Sequence, residues 1–89
     1  MSEYLWTKTR SYEAMLAAAL EAASPVDDRR EEAATCLEMA AAYLEDGQHF
    51  LAGDDLPNAL AAFAYGHGWL DAGVRTGVLQ TDDPEYFTI

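Results

Sequence analysis

Lysine occurs once in these 89 residues, as Lys8, and Arg10, Arg29, Arg30 and Arg75 are the only other bases. Against them stand sixteen Asp and Glu residues, for a formal net charge of −11. A field of that sign repels a phosphate backbone, so no nucleic-acid partner is expected. Cysteine also occurs once, as Cys36, which excludes a disulfide within the chain. No apolar run approaches the roughly 18 residues a membrane span needs, so no membrane partner is expected. The chain does not open on a basic stretch followed by an apolar one, so no secretory leader is read. These absences together lead to the expectation of a cytoplasmic protein.

What is present belongs to one small globular domain. Apolar residues make up 51% of the chain, too many for a disordered segment. A chain of this length buries only about 60–65% of the surface its unfolded form exposes, so the core is small. The acids are spread along the whole chain and not gathered in a block. Abundant Asp, Glu and Ala with almost no Lys is a composition associated with extreme halophiles. Salt adaptation is therefore the expected meaning of the charge, ahead of a basic partner or a metal.

Hydrophobic spacing predicts three helices. The first runs from Ser2 to about Ala23, with Leu5, Tyr12, Leu16, Ala19, Leu20 and Ala23 on one side. Ser24, Pro25, Asp27 and Asp28 read as the start of the second: a capping serine, proline at the first helical position and acids in the first turn. That helix is expected over Pro25 to Leu51, with Ala33, Cys36, Leu37, Ala40, Tyr43, Leu44, Gly47, Phe50 and Leu51 as its apolar stripe. Gly47 in its interior points to close approach by a facing helix. Cys36 falls on the apolar side as a small hydrophobe, with no base spaced to activate it. The run Gly53-Asp54-Asp55-Leu56-Pro57 is the turn: glycine at a helix end, an aspartate cap, then proline in the next first turn. So short a link makes the second and third helices antiparallel neighbours.

The third helix, from about Asp55 to Arg75 or Gly77, differs from the others in being apolar nearly all round. Leu56, Leu60, Phe63, His67, Leu70 and Val74 form its core stripe, with Ala59, Gly66, Gly73 and Gly77 as a groove of small residues beside it. Its far side carries Ala62, Tyr65, Trp69 and Ala72 where a surface helix would carry charges. A three-helix bundle covers only part of such a helix. Tyr65, Trp69, Ala62, Gly66 and Gly73 are therefore the expected contacts to a second copy or a protein partner. After Gly77 the chain becomes acidic and then ends on Tyr86, Phe87 and Ile89, too apolar for a purely solvated tail.

Candidate chemistry centres on His67 and Asp71, one helical turn apart, which could be a base with its orienting carboxylate or two ligands of a metal. Asp46, at a similar distance from the turn on the facing helix, is expected to join them in a polar cluster. Glu45 and His49 form a further pair on the solvated face. No nucleophile or third ligand accompanies any of these. There is also no Glu-x-x-His motif, no arginine before either histidine at the spacing of HEPN-type RNases, no glycine-rich phosphate loop and no Cys/His zinc pattern. Neither enzymatic activity nor a cofactor is expected.

The hairpin resembles an archaeal family known as domain of unknown function 357. In that family a tyrosine and an aspartate are followed by phenylalanine, Gly-Asp and an alanine-rich helix ending in Tyr-Ala-x-Gly-x-Leu-Asp-Ala, with a later glycine. The matching positions here are Tyr43, Asp46, Phe50, Gly53, Asp54, Tyr65, Gly68, Leu70, Asp71, Ala72 and Gly77. Gly66 departs from the pattern, standing where the family tends to alanine. The likeness covers roughly residues 33–79. It implies a small all-α bundle and an archaeal source, and it implies no activity. A weaker likeness to tetratricopeptide hairpins does not extend to an array, because only one such hairpin is present.

The fold expected is thus all-α, a three-helix bundle over residues 1–79 built on a central antiparallel hairpin, with an acidic and aromatic tail over 80–89. The function expected is a non-enzymatic interaction module acting through the third helix. The alternative is a bundle that binds a small molecule or metal at Asp46, His67 and Asp71.

Overall fold

Ser2 starts the first helix in the computed structural model, which describes residues 2–88. Its Oγ accepts a hydrogen bond from the Leu5 N–H at 3.1 Å, satisfying one of the unpaired donors of the first turn of α1 (Glu3–Ala22). α2 spans Arg30–Ala52 and α3 spans Leu56–Arg75. The fold is all-α with three packed helices: α2 and α3 form the hairpin with the largest interface, and α1 packs mainly on α3. Leu16 and Ala19 of α1, Ala33 and Ala40 of α2, and Phe63 and Leu70 of α3 meet in a fully buried core. Thr9 of α1 is also fully buried, its hydroxyl satisfied by donating to the Leu5 carbonyl at 2.7 Å.

Both ends of the hairpin are fixed by backbone geometry. At the turn, Asp54 takes the left-handed conformation (φ 61°), while Gly53 keeps an ordinary φ of −92°. The Asp54 N–H donates to the Leu51 carbonyl at 3.1 Å and the Asp55 N–H to the Phe50 carbonyl at 2.9 Å, which closes α2 in a Schellman motif. Asp55 then caps α3, its Oδ1 accepting from the Asn58 N–H at 3.4 Å, with Pro57 in the first turn as expected. α3 ends in the same motif. Gly77 is left-handed (φ 81°), its N–H bonds the Val74 carbonyl, and the Val78 N–H bonds the Gly73 carbonyl.

The start of α2 is a correction. Ser24 and Pro25 do not begin a helix. They lie in a strand, β1 (Ala23–Pro25), paired antiparallel with β2 (Leu79–Thr81) so that Ser24 faces Gln80. The Val26 N–H extends the ribbon to the Val78 carbonyl at 3.0 Å, and Asp27–Arg29 form a 3₁₀ turn before α2. Pro25 suits a two-stranded ribbon because it owes the ladder no N–H. The ribbon closes one end of the core with Val78 and Leu79, both buried.

Beyond β2 the chain folds back on the bundle. Pro84–Tyr86 make a 3₁₀ turn against α1, and Phe87 joins the core with 9% of its surface exposed.

Candidate functional site

α3 carries the candidate residues on two sides. One side looks into the cleft between α1 and α3, which the returning tail roofs. There the His67 Nε2 lies 2.7 Å from the Tyr86 carbonyl oxygen. A carbonyl only accepts, so Nε2 is the protonated nitrogen and the donor. One turn on, Asp71 Oδ1 accepts a 2.9 Å hydrogen bond from the Thr88 N–H and stands 3.7 Å from His67 Nε2. Between these two anchors the Phe87 ring packs against the imidazole, with centroids 6.2 Å apart. Every buried side-chain N and O among the described residues has a partner. Among the described residues His67 Nδ1 has no hydrogen-bond partner. Beside the pair lies a cleft of about 350 Å³ bounded by Tyr12 and Met15 of α1 and by Ala64 and Gly68 of α3.

The other side of α3 is the aromatic face. Tyr65 is 67% exposed and Trp69 36% exposed, and the Tyr65 ring stacks on Tyr43 of α2 at 5.8 Å and 25°. Between Tyr65 and Trp69 runs a shallow groove floored by Ala64, Gly68 and Ala72. Ala64 and Gly68 border both this groove and the cleft, so they form the ridge between the two. From Leu56 to Leu70 the helix bears no Asp, Glu, Lys or Arg.

Several expected site residues stand elsewhere. Ala62, Gly66 and Gly73 are buried and are not part of an outer surface. A Cβ at Gly66 would lie 2.8 Å from Leu16 Cδ2 and 3.0 Å from Tyr43 Cβ, so α1 and α2 themselves fill that groove. Gly73 receives the Leu79 side chain in the same way. Asp46 is exposed and makes no hydrogen bond with His67 or Asp71. The polar cluster is a pair joined by the tail backbone. Among the described residues no group of three or more His, Cys, Asp or Glu side chains is placed to hold a metal. Cys36 is half-buried and burial pushes its thiol up, which favours the unreactive neutral form. Met15 and the backbone of 86–88 were missed as site elements. The apolar end of the tail was the available signal for the second.

A family model described as "Protein of unknown function (DUF357)" matches residues 11–79. The chain belongs to the DUF357 family. Comparison with curated proteins and with solved structures gives no match. The DUF357 stretch contains both sides of α3, the cleft walls from α1 and the Tyr43 that stacks on Tyr65, whereas the tail that roofs the cleft lies beyond it. No helix among the described residues is long and apolar enough to cross a membrane.

Proposed function

We propose that this DUF357 chain is a non-enzymatic helical interaction module that self-associates through the outer face of α3. Gly68 is the observation that carries the reading. A glycine inside a helix is destabilising by about 0.5–1 kcal/mol relative to alanine. The other three helical glycines have an internal reason: Phe63 covers Gly47, Leu16 and Tyr43 cover Gly66, and Leu79 covers Gly73. Among the described residues, nothing beyond its own helix backbone and chain neighbours comes within 4 Å of a Cβ at Gly68. Its reason is then outside the chain, and it lies on the exposed ridge flanked by Trp69 and Ala64. A second copy suits this face better than a charged partner, because the face offers no charge to complement and lets two acidic chains meet where neither is charged. Two α3 helices crossing at Gly68 would put each copy's Tyr65 and Trp69 over the other's small-residue ridge, an isologous contact.

Light scattering in high KCl on the wild type and on Trp69→Glu tests this. A wild-type dimer with a folded, monomeric Trp69→Glu supports it. A wild type that stays monomeric at high concentration removes self-association. The second reading, a small-molecule site, rests on the cleft of about 350 Å³ beside His67, a volume in the range of ligand pockets. We further read the acid excess as salt adaptation in the cytoplasm of a halophilic archaeon, which agrees with acids dispersed over the whole chain.

A further inference from the structure

The tail is held to the bundle in a way that reads backbone and not sequence. His67 takes the carbonyl of Tyr86, Asp71 takes the N–H of Thr88, and the residue between them, Phe87, is buried against the imidazole. Those are an acceptor and a donor two residues apart, the spacing that an extended segment presents on one edge. Phe87 is itself extended, with φ −128° and ψ 151°. Past β2, the other hydrogen bonds of the described tail are local, from Asp83, Tyr86 and Phe87 to residues two or three positions back. The groove thus behaves as a peptide site with its occupant attached.

That occupant fits the groove by shape and opposes it by charge. Asp82, Asp83 and Glu85 are three of the sixteen acids behind the net charge of −11; Glu85 lines the cleft together with Asp71, and Asp83 lines a neighbouring hollow together with Glu21 of α1. The walls of the groove fall inside the family-matched stretch and the occupant falls outside it. We infer that the α1/α3 groove is a docking site for an extended segment of a partner protein that presents an aromatic residue with basic residues just before it, and that the acidic tail occupies this site in its absence. The backbone clamp of His67 and Asp71 supplies registration, the Phe87 seat supplies the anchor, and the acidic surroundings supply selection for basic flanks.

The probe is a fluorescein-labelled, capped heptapeptide of residues 82–88 carrying lysine at the positions of Asp82, Asp83 and Glu85. It is titrated by anisotropy at about 0.3 M KCl, where attraction between exposed charges more than about 8 Å apart is largely screened and pairs in contact at the groove still act. Thr88→Pro in the full chain deletes the N–H that Asp71 accepts, and the extended Phe87 already has the backbone that precedes a proline. The lysine peptide is expected to bind Thr88→Pro at least tenfold tighter than the wild type, whose own tail competes. Adding Asp71→Ala should weaken that binding at least tenfold, and so should replacing the peptide's phenylalanine by alanine. Phe87→Ala, which vacates the aromatic seat, is a second route to the open groove, checked for folding by circular dichroism. A phenylalanine-free peptide that binds equally well would overturn the proposal, since charge alone would then explain it. Equal binding of the natural acidic sequence would overturn it too and make a second copy's tail the occupant. No binding to a folded Thr88→Pro or Phe87→Ala chain overturns it outright.

Discussion

Gly47 and Gly68 are both helical glycines, and substitution by alanine should move stability in opposite directions. At Gly47 the added methyl would overlap the Phe63 ring, the largest fully buried side chain. Overpacking of this kind is destabilising by about 1–3 kcal/mol. At Gly68 the methyl enters open space, so Gly68→Ala should gain the helix-propensity difference, up to about 1 kcal/mol. Urea unfolding in the Trp69→Glu background checks both with association removed. Equal losses at the two sites would show that Gly68 is covered within the chain. Asp54 offers a related test. It holds a left-handed conformation that suits glycine, and it places a negative charge at the negative end of α2. Asp54→Gly relieves both and should raise stability by about 1 kcal/mol in the same measurement. A loss would mean that its side chain makes a contact worth more than the strain.

Leu79 links a strand to a helix, and its partner Gly73 gives the link a sign. Leu79→Ala removes a buried side chain at the closed end of the core and should be destabilising by about 2–4 kcal/mol. Gly73→Ala should also destabilise the wild type, because the new methyl meets Leu79. In the Leu79→Ala background the same methyl enters the vacated space, so there Gly73→Ala should stabilise. A double-mutant cycle with additive effects would deny the contact. This contact was out of reach of sequence reading, whereas α1, α3 and the hairpin turn were within it. Long helices advertise themselves through apolar spacing and through signals such as the aspartate cap and Pro57 at the start of α3. Three-residue strands have no measurable period, and Ser24 and Pro25 carry a good helix-start signal that a distant partner, Leu79–Thr81, overrides. The site divides the same way. The His67/Asp71 pair was readable because a one-turn separation fixes a shared face. Asp46 was misplaced because the relative rotation of facing helices is not in the spacing. Phe63 seats on Gly47, and the neighbouring residue points about 100° away. Likewise Gly66 and Gly73 could be placed only once the positions of Leu16 and Leu79 were known.

Charge acts on the folded chain as a sum, and nothing in the ion-pair pattern opposes it across the bundle. The described pairs made by arginine, Arg10 with Glu13, Arg29 with Glu32 and Arg30 with Asp27, each join residues three apart in sequence, within a single turn. Lys8 lies 5.8 and 5.3 Å from the ring centroids of Tyr4 and Tyr12 on its own helix. Exposed pairs of this sort contribute little, and none ties one helix to another. The remaining acids repel one another across a body whose shortest principal extent is 16 Å. At about 0.1 M salt the screening length is about 10 Å, and at 1 M it is about 3 Å. Raising KCl from dilute buffer to about 1 M should therefore raise the melting temperature by at least about 5 °C, the shift that roughly 1 kcal/mol produces in a domain of this size. A flat response would remove repulsion as a force on this fold. The Trp69→Glu chain decides where the screening acts. If it gains as much as the wild type, salt works within each chain, between helices. If the wild type alone gains, salt works by letting two acidic copies meet, and the stability of the fold is then bound to the contact at Gly68.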